Sequence, residues 1–312
     1  MTIDDPTVSQ AVRQLPRDRA ILLRNETCAY CGRRFGPLLL QTKEHVIGRR
    51  FVPKGTLAGQ WNLILYACSS CNRDKSDLED DISVISMMPD SVGRYAIDDE
   101  RLYAEVKRKA AGSRSRQTGK LVGDSNEKID LKGDVGLATF AITFTAPPQV
   151  NHMRMYRLAN YHFRAFFYWM TFQKESNLGG FVGGGFFPLA VVPRSDWGAA
   201  RVRWFMGLVQ DWKLKIHGVG ADGFFRVLIR RPAGGERIWA WAFEWNHSFR
   251  VMGFAGEEDA IQALIRQAPE QSAFIVQRTA AEIIRVRAEE SLADDQDNLF
   301  APFPTAGDDV RK

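Results

Sequence analysis

All four cysteines of the chain fall into two Cys-x-x-Cys pairs, Cys28/Cys31 and Cys68/Cys71, with His45 between them. Thiolates at this spacing grip Zn²⁺ in a closed tetrahedron, each pair from a tight turn. A site of that kind contributes folding free energy and leaves no open position for chemistry. Two disulfides would need an oxidising compartment, and a redox dithiol would not call for two matched pairs. Met1 to Asp5 shows no charged-then-apolar leader, so the expectation is a cytoplasmic protein with structural Zn²⁺.

The residues between and just after the pairs have the types needed to hydrolyse a phosphodiester. A water must lose a proton and a leaving sugar oxygen must carry charge. His45 is the one imidazole nearby, and an ordinary value of about 6.5 suits a base at neutral pH. Glu44 and the amide oxygen of Asn72 offer ligands to one divalent ion, Mg²⁺ or Mn²⁺. Arg49, Arg50, Lys54, Arg73 and Lys75 are candidate phosphate contacts. Each residue has a plainer role open to it: His45 a core histidine, Asn62 a turn former, Asn72 a helix cap, the cations a solvated surface. Glu79, Asp80 and Asp81 read as a solvated helix face.

Local pattern says what must position these groups. Residues 32–67 separate the pairs, about twice the 15–20 residues of a plain zinc ribbon, so something is built inside. Leu38 to Ile47 reads as a strand with a polar end, Gly48 to Gly59 as a loop and Asn62 to Tyr66 as a second strand. Asn72 to Ser86 has helical spacing, with Leu78, Ile82 and Ile85 on one side. Alternation along a strand would send Glu44 and His45 to opposite sides, so the reading needs a strand end at that point.

Strand, loop, strand and helix pinned by two cysteine pairs resemble the zinc-knuckle form of the HNH, or ββα-metal, endonuclease superfamily, over residues 28–82. The family pattern is Cys-x-x-Cys, an acidic residue plus His, Asn before an apolar strand, then Cys-x-x-Cys followed by His or Asn and by Lys. Cys28/Cys31, Glu44-His45, Asn62, Cys68/Cys71, Asn72 and Lys75 match it in order. Glu44 stands where Asp is commoner and Asn72 where His is common. The resemblance implies a DNA endonuclease with His45 as general base, and Asn62 orienting that base or bracing the loop.

The rest of the chain predicts an α+β protein: a zinc-pinned nuclease domain at 1–111, a basic linker or exposed loop at 112–135, a larger mixed domain with a mainly antiparallel sheet at 136–292, and an acidic, disordered tail at 293–312. Net charge of +5 fits a nucleic-acid partner, and no run of about 18 apolar residues suggests a membrane span. Helices are expected at 7–24, 98–111, 155–173, 196–212, 257–267 and 273–292, with Asp196 as a cap. Strands are expected at 138–144, 186–192, 224–230 and 238–243, with another from Trp245 to Gly253. The glycines of 179–185 lack the Gly-Lys-Ser/Thr ending of a phosphate loop, and His152, His162, His217 and His247 are too scattered for a metal site. The second domain would set target choice or activation, through a regulatory or guide-binding protein subunit or a homo-oligomer. A host-defence effector held silent until triggered is consistent with this plan. A non-catalytic, zinc-containing nucleic-acid-binding or protein-interaction module is the alternative.

Overall fold

The computed structural model describes residues 13–301 apart from residues 17, 91–92, 136–137, 147, 149, 236, 271–273 and 279–282; the side chains of 13–14, 127–146 and 274–286 lie outside the description too. Two short strands come first among the described residues, β1 (Arg13–Gln14) and β2 (Ile21–Leu22). The expected helix at 7–24 does not form over its described part. Both strands pair in parallel with distant partners, a non-local preference that helical spacing does not reveal. Residues 7–12 are outside the described residues.

β3 (Gln41–His45) and β4 (Leu63–Cys68) pair antiparallel, with His45 opposite Ile64, and β2 completes a three-stranded sheet on the far side of β4. β4 runs directly into α1 (Ser69–Ile85), which buries Leu78, Ile82, Val84 and Ile85. α2 (Glu100–Ala110) follows, its first turn capped by the Asp99 carboxylate, which accepts from the amides of Arg101 and Leu102. Residues 112–126 fold back onto α1. Val122 is buried with Val84, Ile85 and Ala110, and the Arg116 amide donates to Asp81 Oδ2 at 2.8 Å.

β5 (Glu127–Val135) and β6 (Ala138–Ala146) form a hairpin. α3 (His152–Met170), capped by Asn151, is apolar over most of its circumference and lies in the core. The chain then builds β7 (Gly185–Pro193), α4 (Ala200–Val209), β8 (Lys213–Gly220), β9 (Phe225–Arg231), β10 (Ile238–Trp245), β11 (Phe249–Gly256) and α5 (Glu258–Ile265). Strands β8-β9-β10-β11-β7 make a continuous antiparallel sheet, with β1 added in parallel at the β8 edge. The fold is α+β, as expected.

Both faces of that sheet are covered, which is why β10 is buried along its whole length. Trp239, Trp241, Phe243 and Trp245 face α3, whereas Ile238, Ala240 and Ala242 face α4 and α5. The first of these cores continues into the cysteine-rich segment. Trp61, from the loop before β4, packs edge-on against Phe166 of α3 and Phe225 of β9, and its indole donates to the Val219 carbonyl at 2.7 Å. Asn246, in the tight turn between β10 and β11, donates to Phe51 O and Ser86 Oγ.

Two further expectations fail. Residues 273–292 carry β12 (Phe274–Arg278) and β13 (Ile283–Val286), an antiparallel pair, where a helix was expected. The acidic tail is docked as far as Phe300. Leu299 and Phe300 are buried beside α4, and Asp297 pairs with Arg250; residues 302–312 lie outside the described residues. Asp196 does not cap α4 but holds the Arg287 guanidinium. Among the described residues no helix is long and apolar enough to cross a membrane.

Candidate metal centre and nucleic-acid interface

The chain turns tightly at the first cysteine pair: the Gly32 amide donates to Cys28 O and the Cys28 amide to Arg33 O, each at 2.8 Å. Gly32 takes φ of +75°, a conformation that side chains disfavour. The second pair arises from the β4–α1 junction, with Cys68 ending the strand and Cys71 in the first helical turn. All four sulfurs lie within 4.8 Å of one another. Cys31 and Cys68 are 3.9 Å apart, close to the edge of about 3.8 Å that Zn–S bonds of about 2.3 Å give a tetrahedron. The Cys28 thiol is pushed down to about 4, chiefly by the hydrogen bond from Cys71, whose own thiol is pushed up. A cation that takes up the thiolates replaces such protons. The Arg33 guanidinium adds contacts of 3.4 Å to Cys31 and 3.7 Å to Cys68. The cluster fits a structural zinc ion.

β3 faces α1 with Thr42 and Glu44. Thr42 Oγ1 donates its one proton to Ala67 O at 2.9 Å, so it can only accept from Asn72 Nδ2, also at 2.9 Å. That fixes the amide and turns Asn72 Oδ1 away from Thr42, where an oxygen ligand is useful. Glu44 lies in the same β3–α1 seam, about one helical turn along, but it is nearly fully buried. Lys75 Nζ sits 2.8 Å from Glu44 Oε1, and the Tyr30 hydroxyl donates to the same oxygen at 3.3 Å. Only Oε2 would remain for an ion.

Lys75 is not the phosphate contact expected of it. It has no solvent exposure, and its ammonium is shared by Glu44, by Glu79 Oε1 at 2.6 Å and by the His45 carbonyl at 3.3 Å. Glu79, expected on a solvated face, is likewise largely buried. Burial drives the Glu44 carboxyl up, with Lys75 only partly offsetting it, while Glu79 is held below the usual range despite burial, chiefly by Lys75. Burial alone would lower Lys75, but the two carboxylates raise it.

His45 ends β3, half-buried, with Nε2 3.4 Å from the Arg49 guanidinium. Its imidazole is held below the ordinary value by burial first, then by Arg49, Lys43 and Lys75. Asn62 grips the backbone just beyond: Oδ1 accepts from the Ile47 amide at 3.2 Å and Nδ2 donates to Ile47 O at 2.8 Å. That is a loop brace.

A cleft of about 960 Å³ opens between α1, α2 and the loop after His45. Arg49, Arg50, Lys54, Arg73 and Asn72 line it, together with Arg108, Lys109 and Arg116, which the motif did not point to. Lys109 is paired with Glu105, and Arg116 with Asp77 and Asp80. Arg50, Lys54, Arg73 and Arg108 have no described side-chain partner. The basic run Lys107-Arg108-Lys109 was the available signal, but only the folded cleft separates Arg108 from its neighbours.

No family model, curated protein or solved structure matches this chain. The likeness to HNH endonucleases rests on the motif residues themselves, among them the four cysteines, which the fold brings together.

Proposed function

We propose that the protein is a metal-dependent HNH-type endonuclease that hydrolyses DNA phosphodiester bonds, with His45 as general base and the carboxyl-terminal half controlling target choice or activation. The observation that supports this reading is the seating of the His45 imidazole 3.4 Å from Arg49, which in turn lines a cleft where basic side chains outnumber acidic ones. His45 Nε2 takes a proton from the attacking water as the oxygen–phosphorus bond forms, and the bond to the leaving sugar oxygen breaks. Arg49, Arg50, Lys54, Arg73 and Arg108 hold the backbone phosphates, and Asn62 fixes the loop that carries Arg49 and Arg50. Asn72 Oδ1, with Glu44 Oε2, would hold Mg²⁺ or Mn²⁺, whose charge offsets that of the scissile phosphate and leaving oxygen. DNA as the substrate comes from the family resemblance. The test is cleavage of plasmid and single-stranded DNA with Mg²⁺, Mn²⁺ or EDTA, comparing wild type with His45→Ala. Metal-dependent cleavage that the variant lacks supports the reading, and equal cleavage by both removes it.

A second reading has its own observation. Glu44 already has a cation, the Lys75 ammonium, so the seam is internally satisfied without an added ion. On that reading the protein is a zinc-containing module that binds nucleic acid without cutting it. Salt-dependent DNA binding with no cleavage under any divalent metal would favour it.

A further inference from the structure

The backbone leaving His45 is held at successive points by side chains from other elements. The His45 carbonyl accepts from Lys75 Nζ at 3.3 Å, and Asn62 takes both polar groups of Ile47. The Gly48 amide then donates to Glu79 Oε1 at 3.3 Å. That same Glu79 oxygen receives the Lys75 ammonium at 2.6 Å. One carboxylate therefore ties both sides of the turn after the imidazole to a single buried point on α1. A Cβ at residue 48 would stand 2.8 Å from the Glu79 carboxyl carbon, so a side chain there would push the carboxylate away from the Gly48 amide.

Behind Glu79 stands His162 of α3. It has no exposure, its Nε2 lies 3.9 Å from Glu79 Oε1, and neither ring nitrogen has a hydrogen-bond partner. Phe51, Phe225, Phe243 and Trp245 surround the ring with centroids 5.2–5.8 Å away. Burying a polar ring without partners is costly. Here that ring puts a rigid wall from the carboxyl-terminal half against the carboxylate.

We propose that Glu79 is a positioning residue for His45, clamping the segment from 45 to 48, and that His162 backs it, so that α3 completes the site. The proposal rests on the nuclease reading of His45. A base must be held within about 0.5 Å of its productive place, and the loop that Glu79 clamps carries Arg49 as well.

The full-length zinc-loaded protein is the material for the test, with Glu79→Gln, Glu79→Ala and His162→Phe compared with wild type. The phenyl ring of the last variant keeps the packing and removes the ring nitrogen that lies 3.9 Å from Glu79. Expected for both Glu79 variants is a fall in kcat of about 10–100-fold, the cost of an ångström-scale misplacement. KM should stay within about twofold, because no phosphate contact is removed. The glutamine variant should retain more activity than the alanine variant, since its amide oxygen can still accept from Gly48, and His162→Phe should show a smaller fall of the same kind. Zinc content should not change, and amide hydrogen exchange should quicken at Ile47 and Gly48 in Glu79→Ala. Wild-type kcat in both Glu79 variants, or a loss matched by an equal loss of folded, zinc-loaded protein, overturns the proposal while leaving the nuclease reading intact. If the wild type cuts no DNA, the nuclease reading falls, and exchange decides the clamp: quickening at 47–48 supports it and no change ends it.

Discussion

The Arg49 guanidinium lies 3.4 Å from Nε2 of His45, and because an arginine can only donate, a hydrogen bond between them requires that nitrogen to be the one without a proton. In that arrangement the ring is neutral, with its hydrogen on Nδ1 and its lone pair toward Arg49. On the nuclease proposal, a phosphate entering the cleft would compete for Arg49 and free the lone pair for water. His45→Ala should cut cleavage by about 10²–10⁴-fold, the usual weight of a general base, with zinc content unchanged. Burial, then Arg49, Lys43 and Lys75, holds the imidazole below its ordinary value. The unprotonated ring therefore persists to lower pH than a free histidine, and if His45 is the base the acid limb of kcat/KM should lie below about pH 6.5. Arg49→Ala removes one of the depressing charges and should move that limb to higher pH. A profile flat down to pH 5 would exclude His45 as the base.

The zinc site makes a different demand. The cysteine pairs pin the start of β3–β4 to the start of α1, and Cys28 and Cys68 are wholly buried. Without an ion, thiolates this close repel one another, and the knuckle loses its cross-link. Cys68→Ser, or a strong chelator, should melt the segment from 28 to 85 and abolish DNA cleavage together with DNA binding. Metal analysis should give one zinc per chain, lost in step with helical circular dichroism. Full structure after complete removal of zinc would show that the knuckle is dispensable.

What the sequence made legible follows the range of the interactions concerned. Both cysteine pairs, the strand ending at His45 and the helix after Cys71 are set by local spacing, and they stand within a few residues of where that spacing put them. Lys75 and Glu79 were hidden because a charged pair four residues apart on a helix looks the same whether it faces water or core. Only the packing of α3 over α1 buries them. The helix expected at 7–24 failed for a related reason, since β1 and β2 exist only because β8 and β4 offer edges far along the chain. At 273–292 the helix-forming Ala280, Ala281 and Glu282 pulled the reading one way, against Phe274 to Val276 and Ile283 to Ile284, whose branched and aromatic side chains suit strands.

Lys75→Met tests whether the buried cluster is structural capital or a liability. The substitution removes the ammonium that two carboxylates share and leaves Glu44 and Glu79 buried beside each other. Removing one partner from a buried ion pair typically costs about 3–5 kcal/mol, so urea denaturation should show a large loss of stability at neutral pH. Adding Glu44→Gln should recover part of that loss, because one unpaired charge then disappears. A double-mutant cycle without coupling between the two positions would mean that their 2.8 Å contact carries no net energy.

Arg108 offers a cleaner view of the cleft, since it lies outside the segment that resembles a nuclease and has no described partner. If its guanidinium meets a backbone phosphate, Arg108→Ala should lower the slope of log K against log salt by about one. Lys109→Ala, which breaks an existing pair with Glu105, should mix that effect with a local change in α2. An unaltered slope for Arg108→Ala would take α2 out of the interface.

The last prediction concerns the acidic end of the described chain. Arg250 has no exposure. Its guanidinium donates to Glu244 Oε2 at 3.1 and 2.9 Å and to Asp297 Oδ1 at 2.9 Å, and it lies 3.6 Å from the Trp197 ring centroid. His217 Nε2 donates to the Phe300 carbonyl at 2.8 Å, and the Leu299 and Phe300 side chains close the core beside α4. Cutting the chain after Ala293 removes one of the two carboxylates paired with Arg250, and also two buried side chains, each worth about 1.5–3 kcal/mol. The truncated protein should unfold at markedly lower urea than one cut after Ala301, which keeps all of these contacts. Asp297→Asn should fall between the two, because the amide oxygen can still accept from the guanidinium but its charge is gone. Identical midpoints for the two truncations would show that Leu299 and Phe300 contribute nothing to stability, and that the core beside α4 closes without them.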